Sequence, residues 1–475
     1  MKKILLGLAP TRRFCFSVED AHKYKKIIED KLIEWEVEFI NIDSINDEGL
    51  LINMDDAKAA AELFISKKVD AVFSPHVNFG TEEVVAYMAK KVNKPFLLWG
   101  PRDEMPLENG EHLRDTQCGL FATSNVLKKY GVNFTYIVNS RVDSQVFKIG
   151  FMNFIAAARI VKNFIGARIG QISTRPANFY TVIINEQELL AKWGIEVVPI
   201  TLLHVKNEIN RLINNDYRIP GEVAGIRNRI ALQDVNDEDL KKIAALKLFM
   251  LDWAHEQSLS AIAIKCHDDL PDEMQFYSCF ANGEVTAAGI PVACETDIHG
   301  AISSILVQSA SNYCNESFLA DMTIRHPEND NAELLWHCGN FPLSMCENCD
   351  SAFLGRHCNI KPPLPGTGNF AIKSDAITVA RFDGMNGEYS LLIGQGKGIT
   401  GPYNLGTYVW MEVENWPEWE ERLIYGPYIH HVAGVADHCA AALYEATRYI
   451  PGLKPDAIYP TEQQIKSYLR GDHLR

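Results

Sequence analysis

The chain of 475 residues contains no long hydrophobic run. No window approaches the ~20 apolar residues needed to cross a bilayer. Positive charge is scarce: 46 Lys and Arg stand against 61 Asp and Glu, a net charge of −15. That balance disfavours the non-specific binding of nucleic acid or anionic membrane that basic proteins show. It suits a site for a divalent cation. Nucleotide-binding loops are missing as well. GQGKG at 394–398 lacks the GxxxxGK[ST] spacing and IGQIST lacks GxGxxG, so no nucleotide cofactor is expected. GQGKG sits among alternating segments and reads as a tight β-turn. There is no internal repeat and no low-complexity linker. The 11 cysteines, an odd number spread along the chain, do not form a secreted disulfide framework. The opening MKKILLGLAPTRRF has a short apolar run interrupted by Arg12 and Arg13, which reads as a strand feeding a loop rather than a signal peptide. A cytoplasmic protein is expected.

What is present is globular: 47% of residues are hydrophobic and 23% charged. The length suggests about three domains. Residues 1–167 alternate strands (ILLGLA, EFINID, DAVFSP, PFLLWG) with amphipathic helices, the βαβ rhythm of a parallel doubly wound sheet. The rhythm restarts over 168–335, with RIGQIST and IEVVPI as strands, two long helical stretches at roughly 233–258, then LSAIAIKC and GIPVACE as buried strands. Over 336–475 the pattern alternates apolar and polar residues in FAIKSDAITVARFDG, EYSLLIGQGKG and YVWMEVEN, which predicts a β-rich, antiparallel, barrel-like domain.

Two groups of residues carry candidate chemistry. The first is Glu295 after the apolar run VAC, Asp321 in FLADMT, His337 in LLWHCGN and the pair His430–His431 in YIHHVAG. Carboxylates are the ligands hard divalent cations prefer, and Mn²⁺ also accepts imidazole. Taken alone, Thr296 or Asp297 reads as a helix cap with an acidic first turn that suits the helix dipole, but capping does not require Glu295. The second group is Cys338, Cys346, Cys349 and Cys358 within 21 residues, which includes one CxxC. A structural zinc site usually pairs two such knuckles, so thiols sharing a loop is the favoured reading.

As an ordered set, IKCHDDLPDEMQFYSCF (264–280), GIPVACETDIHGAIS (289–303), FLADMT, LLWHCGNFP, ITVARFDGMNGEYSLLIGQGKG (377–398) and HHVAG (430–434) resemble the L-fucose/L-arabinose isomerase superfamily. The resemblance covers the C-terminal two-thirds. It implies two Rossmann-like α/β domains followed by a β-rich domain, and an aldose–ketose isomerase working through a cis-enediol. It also implies Mn²⁺, or another divalent cation such as Mg²⁺ or Co²⁺, and a homo-oligomer, trimer or hexamer, whose sites are completed by a neighbour. Glu295 and Asp321 then match the catalytic, metal-binding carboxylates, His431 the distal histidine ligand, and His337 the additional histidine of arabinose-type members.

Arg175 and Phe179 in QISTRPANF, Lys265 at the end of AIAIKC, and Arg13 after the first strand are the candidate substrate contacts. The expected partner is a sugar, with PTRRFCF (10–16) suggesting an acidic or sulfonated hexose by charge. Two other readings stand beside the isomerase. One is a non-catalytic sugar-binding protein of the same fold, and the other is a zinc-stabilised interaction module built on the cysteines.

Overall fold

The computed structural model describes residues 3–311, 316–372 and 375–474. Lys373 and Ser374, inside the alternating run 370–384, lie outside the described residues. In the N-terminal segment, short runs of Leu, Val, Phe and Trp each stop at a turn and are followed by an amphipathic helix. The strands Leu5–Leu8, Glu38–Ile40, Ala71–Pro75, Phe96–Trp99 and Thr135–Tyr136 pair in parallel, with Leu5–Leu8 between the second and third. Successive strand residues point to opposite faces. Leu6, Phe73 and Leu97 therefore pack with Phe147 and Phe151 on one side, while Val72, Phe96 and Leu98 pack with Phe64 and Val85 on the other. Such two-sided burial is why these strands are continuously apolar. The compact unit built on this sheet comprises Lys2–Lys162, Glu445–Tyr449 and Glu462–Arg475.

A second compact unit holds Asn163–Tyr444 and Ile450–Thr461. Its parallel sheet runs in the order Val292–Ala293, Ala261–Ile264, Arg168–Ile172, Glu196–Ile200. The helical stretch near 233–258 is the single helix Asp237–Gln257, with a reciprocal cap between Asn236 and Asp239. The helices Leu202–Asn215 and Ile219–Arg229 precede it.

The same unit contains a ten-stranded mixed sheet, mostly antiparallel. Six of its strands close on themselves: Glu388–Ile399, Ile377–Met385, His431–Val435, Phe318–Arg325, Ala332–His337 and Thr407–Glu412, the last pairing back to the first. Full closure removes the exposed edges an open sheet would leave. The fold class read from the sequence, parallel α/β sheets followed by a β-rich barrel-like region, is the one observed.

GQGKG is not a turn. It lies inside the strand Glu388–Ile399, whose last residues, from Lys397 to Ile399, close the barrel. A Cβ on Gly394 would come within 1.9 Å of the Trp419 ring, and one on Gly396 within 2.4 Å of the Glu412 carbonyl. Close approach, not chain reversal, requires these glycines. No helix among the described residues is long and apolar enough to cross a membrane.

Candidate active site

The apolar run GIPVAC ends in the two-residue strand Val292–Ala293, after which the chain turns left-handed at both Glu295 (φ 62°) and Thr296 (φ 56°). Two adjacent non-glycine residues in that region store strain of about 1–3 kcal/mol each, which surrounding contacts must hold. Asp297 supplies several. Its Oδ1 accepts the Gly300 amide at 2.8 Å, capping the helix Ile298–Ala310, and its carboxylate pairs with the fully buried Arg381. The cap expected from the sequence is present, and it belongs to a larger charged network through Arg381 to Asp383 and on to His299.

The barrel brings the other groups. Asp321 and His431 face each other directly in the antiparallel pairing of Phe318–Arg325 with His431–Val435, and Trp336 lies across from Asp321 on its other side. His431 Nδ1 sits 2.8 Å from Asp297 Oδ2. Its Nε2 then points at Glu295 Oε2, 3.1 Å away, and at Asp321 Oδ1, 3.4 Å away. A carboxylate behind the far ring nitrogen is the arrangement that orients metal-binding histidines. His431 Nε2 and Asp321 Oδ1 are both buried and lack a hydrogen-bond partner among the described residues. Carboxylate oxygens and imidazole nitrogens are the donor types a hard divalent ion such as Mn²⁺ takes.

Electrostatics reflect the convergence. Burial works against charge on Glu295, but His267, hydrogen-bonded to one oxygen, and His431, lying against the other, more than offset it and hold the carboxyl well below its usual range. Asp297 is likewise penalised by burial and pulled far down by the Arg381 charge and by His431. His431 is disfavoured as a cation by burial, yet Asp297 and Glu295 raise it to about 10.

These groups border a cavity of about 330 Å³ lined by Phe179, Thr181, His267, Glu295, Asp321 and Trp336 on one part of its wall. Cys338, His357, Asn359, Ile360 and His430 complete it. Of the expected substrate contacts, Phe179 is there, its ring edge-on to His267 at 5.8 Å. The others are engaged elsewhere. Arg175 donates to the carbonyls of Pro176 and Ala177, Lys265 pairs with Asp269 at 2.8 Å, and Arg13 pairs with Glu82 above the Phe79 ring. Arg12 is held by Glu48.

His337 is buried next to two lining residues without lining the cavity itself. The pleat turns it to the face opposite Trp336. Its Nδ1 accepts the Cys338 amide at 2.8 Å, which places the ring proton on Nε2. His430 is half-exposed, with Nε2 4.0 Å from Asp321 Oδ1. Asp321, His430 and His431 bring ligand atoms within 4.8 Å of one another; among the described residues no other group of three His, Cys, Asp or Glu does so, and Glu295 stands outside that group, meeting it at His431 Nε2. The four clustered cysteines therefore do not converge. Cys338 packs with Tyr277 and Cys279, while Cys346 interacts with Cys349.

Sequence reasoning passed over His267, whose Nε2 lies 3.1 Å from Glu295 Oε1, and treated Asp297 only as a cap. The signal available for His267 was its place in IKCHDD at the end of a strand adjacent to that of Glu295.

Residues 7–165 match the family described as fucose/sulfoquinovose isomerase, N-terminal domain. The chain is 24% identical over 399 residues to the sulfoquinovose isomerase of Priestia aryabhattai, covering 84% of this chain and 86% of that protein. It is 25% identical to the sulfoquinovose isomerase of Alkalicoccus urumqiensis, covering 74% and 77% respectively. With the sulfoquinovose isomerase of Clostridium sp. (strain MSTE9) the identity is 21%, over 69% and 72%. These matches agree with the ordered motifs quoted above: the chain is similar over most of its length to sulfoquinovose isomerases, and its residues 7–165 to the fucose/sulfoquinovose isomerase family.

Proposed function

We propose that the cavity interconverts a sulfonated aldohexose and its 2-ketose, assisted by a divalent cation, Mn²⁺ foremost, held by Glu295, Asp321 and His431. The observation that carries this is the meeting of two carboxylates on one buried, unpartnered imidazole nitrogen. The names of the relatives support sulfoquinovose as the aldose. When bound, the ion would polarise the sugar carbonyl and offset the negative charge that develops beside it.

The chain's own groups account for the proton. Isomerisation removes the C2 proton of the aldose, protonates O1 to give a cis-enediol, then loses the O2 proton while C1 gains one. Glu295 and Asp321 are the carboxylates that carry protons between carbon and oxygen. His267 holds one Glu295 oxygen and His431 lies against the other, which fixes the rotamer of that side chain. Phe179 and Trp336 supply apolar wall, which excludes water from the intermediate. His337, with its proton on Nε2 and its ring outside the cavity lining, is left out of the proposed metal set.

The reading includes a homo-oligomer, trimer or hexamer, in which a neighbouring copy completes the site. Phe14, Met105 and Phe121, 85%, 88% and 67% exposed on the smaller unit, are apolar surface such a contact would cover.

Incubating the Mn²⁺-loaded protein with sulfoquinovose and a panel of other aldoses in D₂O tests the reaction directly. Deuterium should enter at C2 of the aldose and C1 of the ketose, and Glu295→Gln should slow exchange on the order of 10³-fold. Bound Mn²⁺ with no exchange from any sugar would count against it.

A further inference from the structure

His357 follows the strand Phe353–Arg356 and opens the loop to Leu364, to whose carbonyl its own amide donates at 2.9 Å. Its side chain closes that loop from within. The amides of Asn359 and Ile360 both donate to His357 Nδ1, at 3.2 and 3.1 Å. A ring nitrogen that accepts two N–H groups carries no proton, so the proton of the neutral imidazole is on Nε2. The ring packs against that of Tyr277, centroids 4.5 Å apart and tilted by 49°, which restrains its plane. His357 is 2% exposed, and it lines the same cavity as Glu295 and Asp321.

Its Nε2–H has no partner among the described residues. A buried donor left unmatched is a standing cost to the fold, and native structures keep few of them without a use. Burial, and then the neighbouring His267 and His337, push its pKa down to about 4, so the ring stays neutral near pH 7. The cavity lining contains no Lys or Arg among the described residues. Its polar groups away from the carboxylates are Thr181, His357 and Asn359.

We infer that His357 is a substrate-recognising residue whose fixed Nε2–H donates a hydrogen bond to an oxygen of the bound sugar. The loop amides set the tautomer, Tyr277 restrains the ring plane, and the sugar completes the one bond the protein leaves open. This inference rests on the isomerase reading above and deepens it. A histidine kept only to close its loop would make the same amide contacts and have no need of the second nitrogen.

That contrast selects the variant. In His357→Asn the Oδ1 takes the place of Nδ1 and accepts the same two amides, as in an Asx-turn, but the donor into the cavity is gone. KM for the sugar that is turned over should rise on the order of ten-fold or more. Mn²⁺ affinity, read by electron paramagnetic resonance, should stay unchanged. His357→Gln, which carries an N–H to about the reach of Nε2, should recover part of the loss.

Long-range ¹H–¹⁵N spectra of the imidazoles give a reading independent of turnover. They should show His357 protonated at Nε2 in the free Mn²⁺-loaded protein and its resonance moving when sugar is added. An unchanged KM in His357→Asn, or a proton on Nδ1, would overturn the inference while the isomerase stands. Were the wild type to turn over no sugar, the isomerase reading would fail. A sugar-dependent shift at His357 would then still uphold the donor, and its absence would sink that too.

Discussion

At the scale of single residues, the site turns on which of two adjacent histidines has a carboxylate behind it. His430 and His431 are chemically identical, but only His431 is buried with its Nδ1 against Asp297, which frees Nε2 for the other carboxylates. His430 is half-exposed and shifted down, first by burial and then by His431. Replacing Asp297 with Asn keeps the shape and removes the orienting charge. Mn²⁺ affinity should fall about 10–100-fold in a calorimetric titration. Urea unfolding should show a loss of up to about 3 kcal/mol, because the fully buried Arg381 keeps Asp383 but loses one of its two carboxylate partners. Unchanged affinity would show that His431 needs no orientation. Glu295, Asp321 and His431, which the fold brings side by side, could be singled out because the motifs containing them form an ordered set. Asp297 and His267 could not, since they meet their partners across 134 and 28 positions and no local pattern records such a meeting.

At the scale of elements, strand register does the assembling. Asp321 lies within the strand Phe318–Arg325 rather than at a strand end, and it reaches the site because that strand pairs it with His431. A slip of one residue would turn Asp321 to the opposite face. The neighbouring strand Ala332–His337 contains Glu333, 3% exposed, with one carboxylate oxygen unpartnered among the described residues. Burial raises its pKa to about 7, although Arg325 opposes the shift. Between about 4.5 and 7 the folded protein keeps a proton that the unfolded chain has released, so stability should decline as pH rises through that window and level off above it. Glu333→Gln should abolish the slope and stabilise the protein above pH 7 on the order of 2 kcal/mol. Thermal unfolding from pH 5 to 8 decides it, and an unchanged slope would mean that Glu333 is ionised in the fold. Element type was readable from period, helix against strand and parallel against alternating. The role of GQGKG was not, because glycine demanded by a turn and glycine demanded by a tryptophan ring look the same in sequence.

At the scale of the whole molecule, the chain returns to where it began. Glu445–Tyr449 and Glu462–Arg475 belong to the same compact unit as the N-terminal sheet. Within it Thr135 Oγ1 donates to the buried Glu445 at 2.6 Å, Tyr449 donates to the Phe96 carbonyl at 3.0 Å, and Ile465 is 1% exposed. Truncation before Glu462 should therefore destabilise the smaller unit, by about 2 kcal/mol for the loss of Ile465 packing alone. Hydrogen exchange should quicken in Phe96–Trp99 and Thr135–Tyr136, while Mn²⁺ binding by the larger unit persists. Unaltered exchange in those strands would refute the expectation. Period and composition are local properties, so the α/β rhythm, the alternating β-rich region and the residue types able to hold a cation could be read straight from the order of amino acids. Folding in three dimensions closes the barrel, backs His431 with Asp297 and sets His357 against the cavity. Each of these depends on the register between strands or the course of a loop, which bring together groups far apart in the chain.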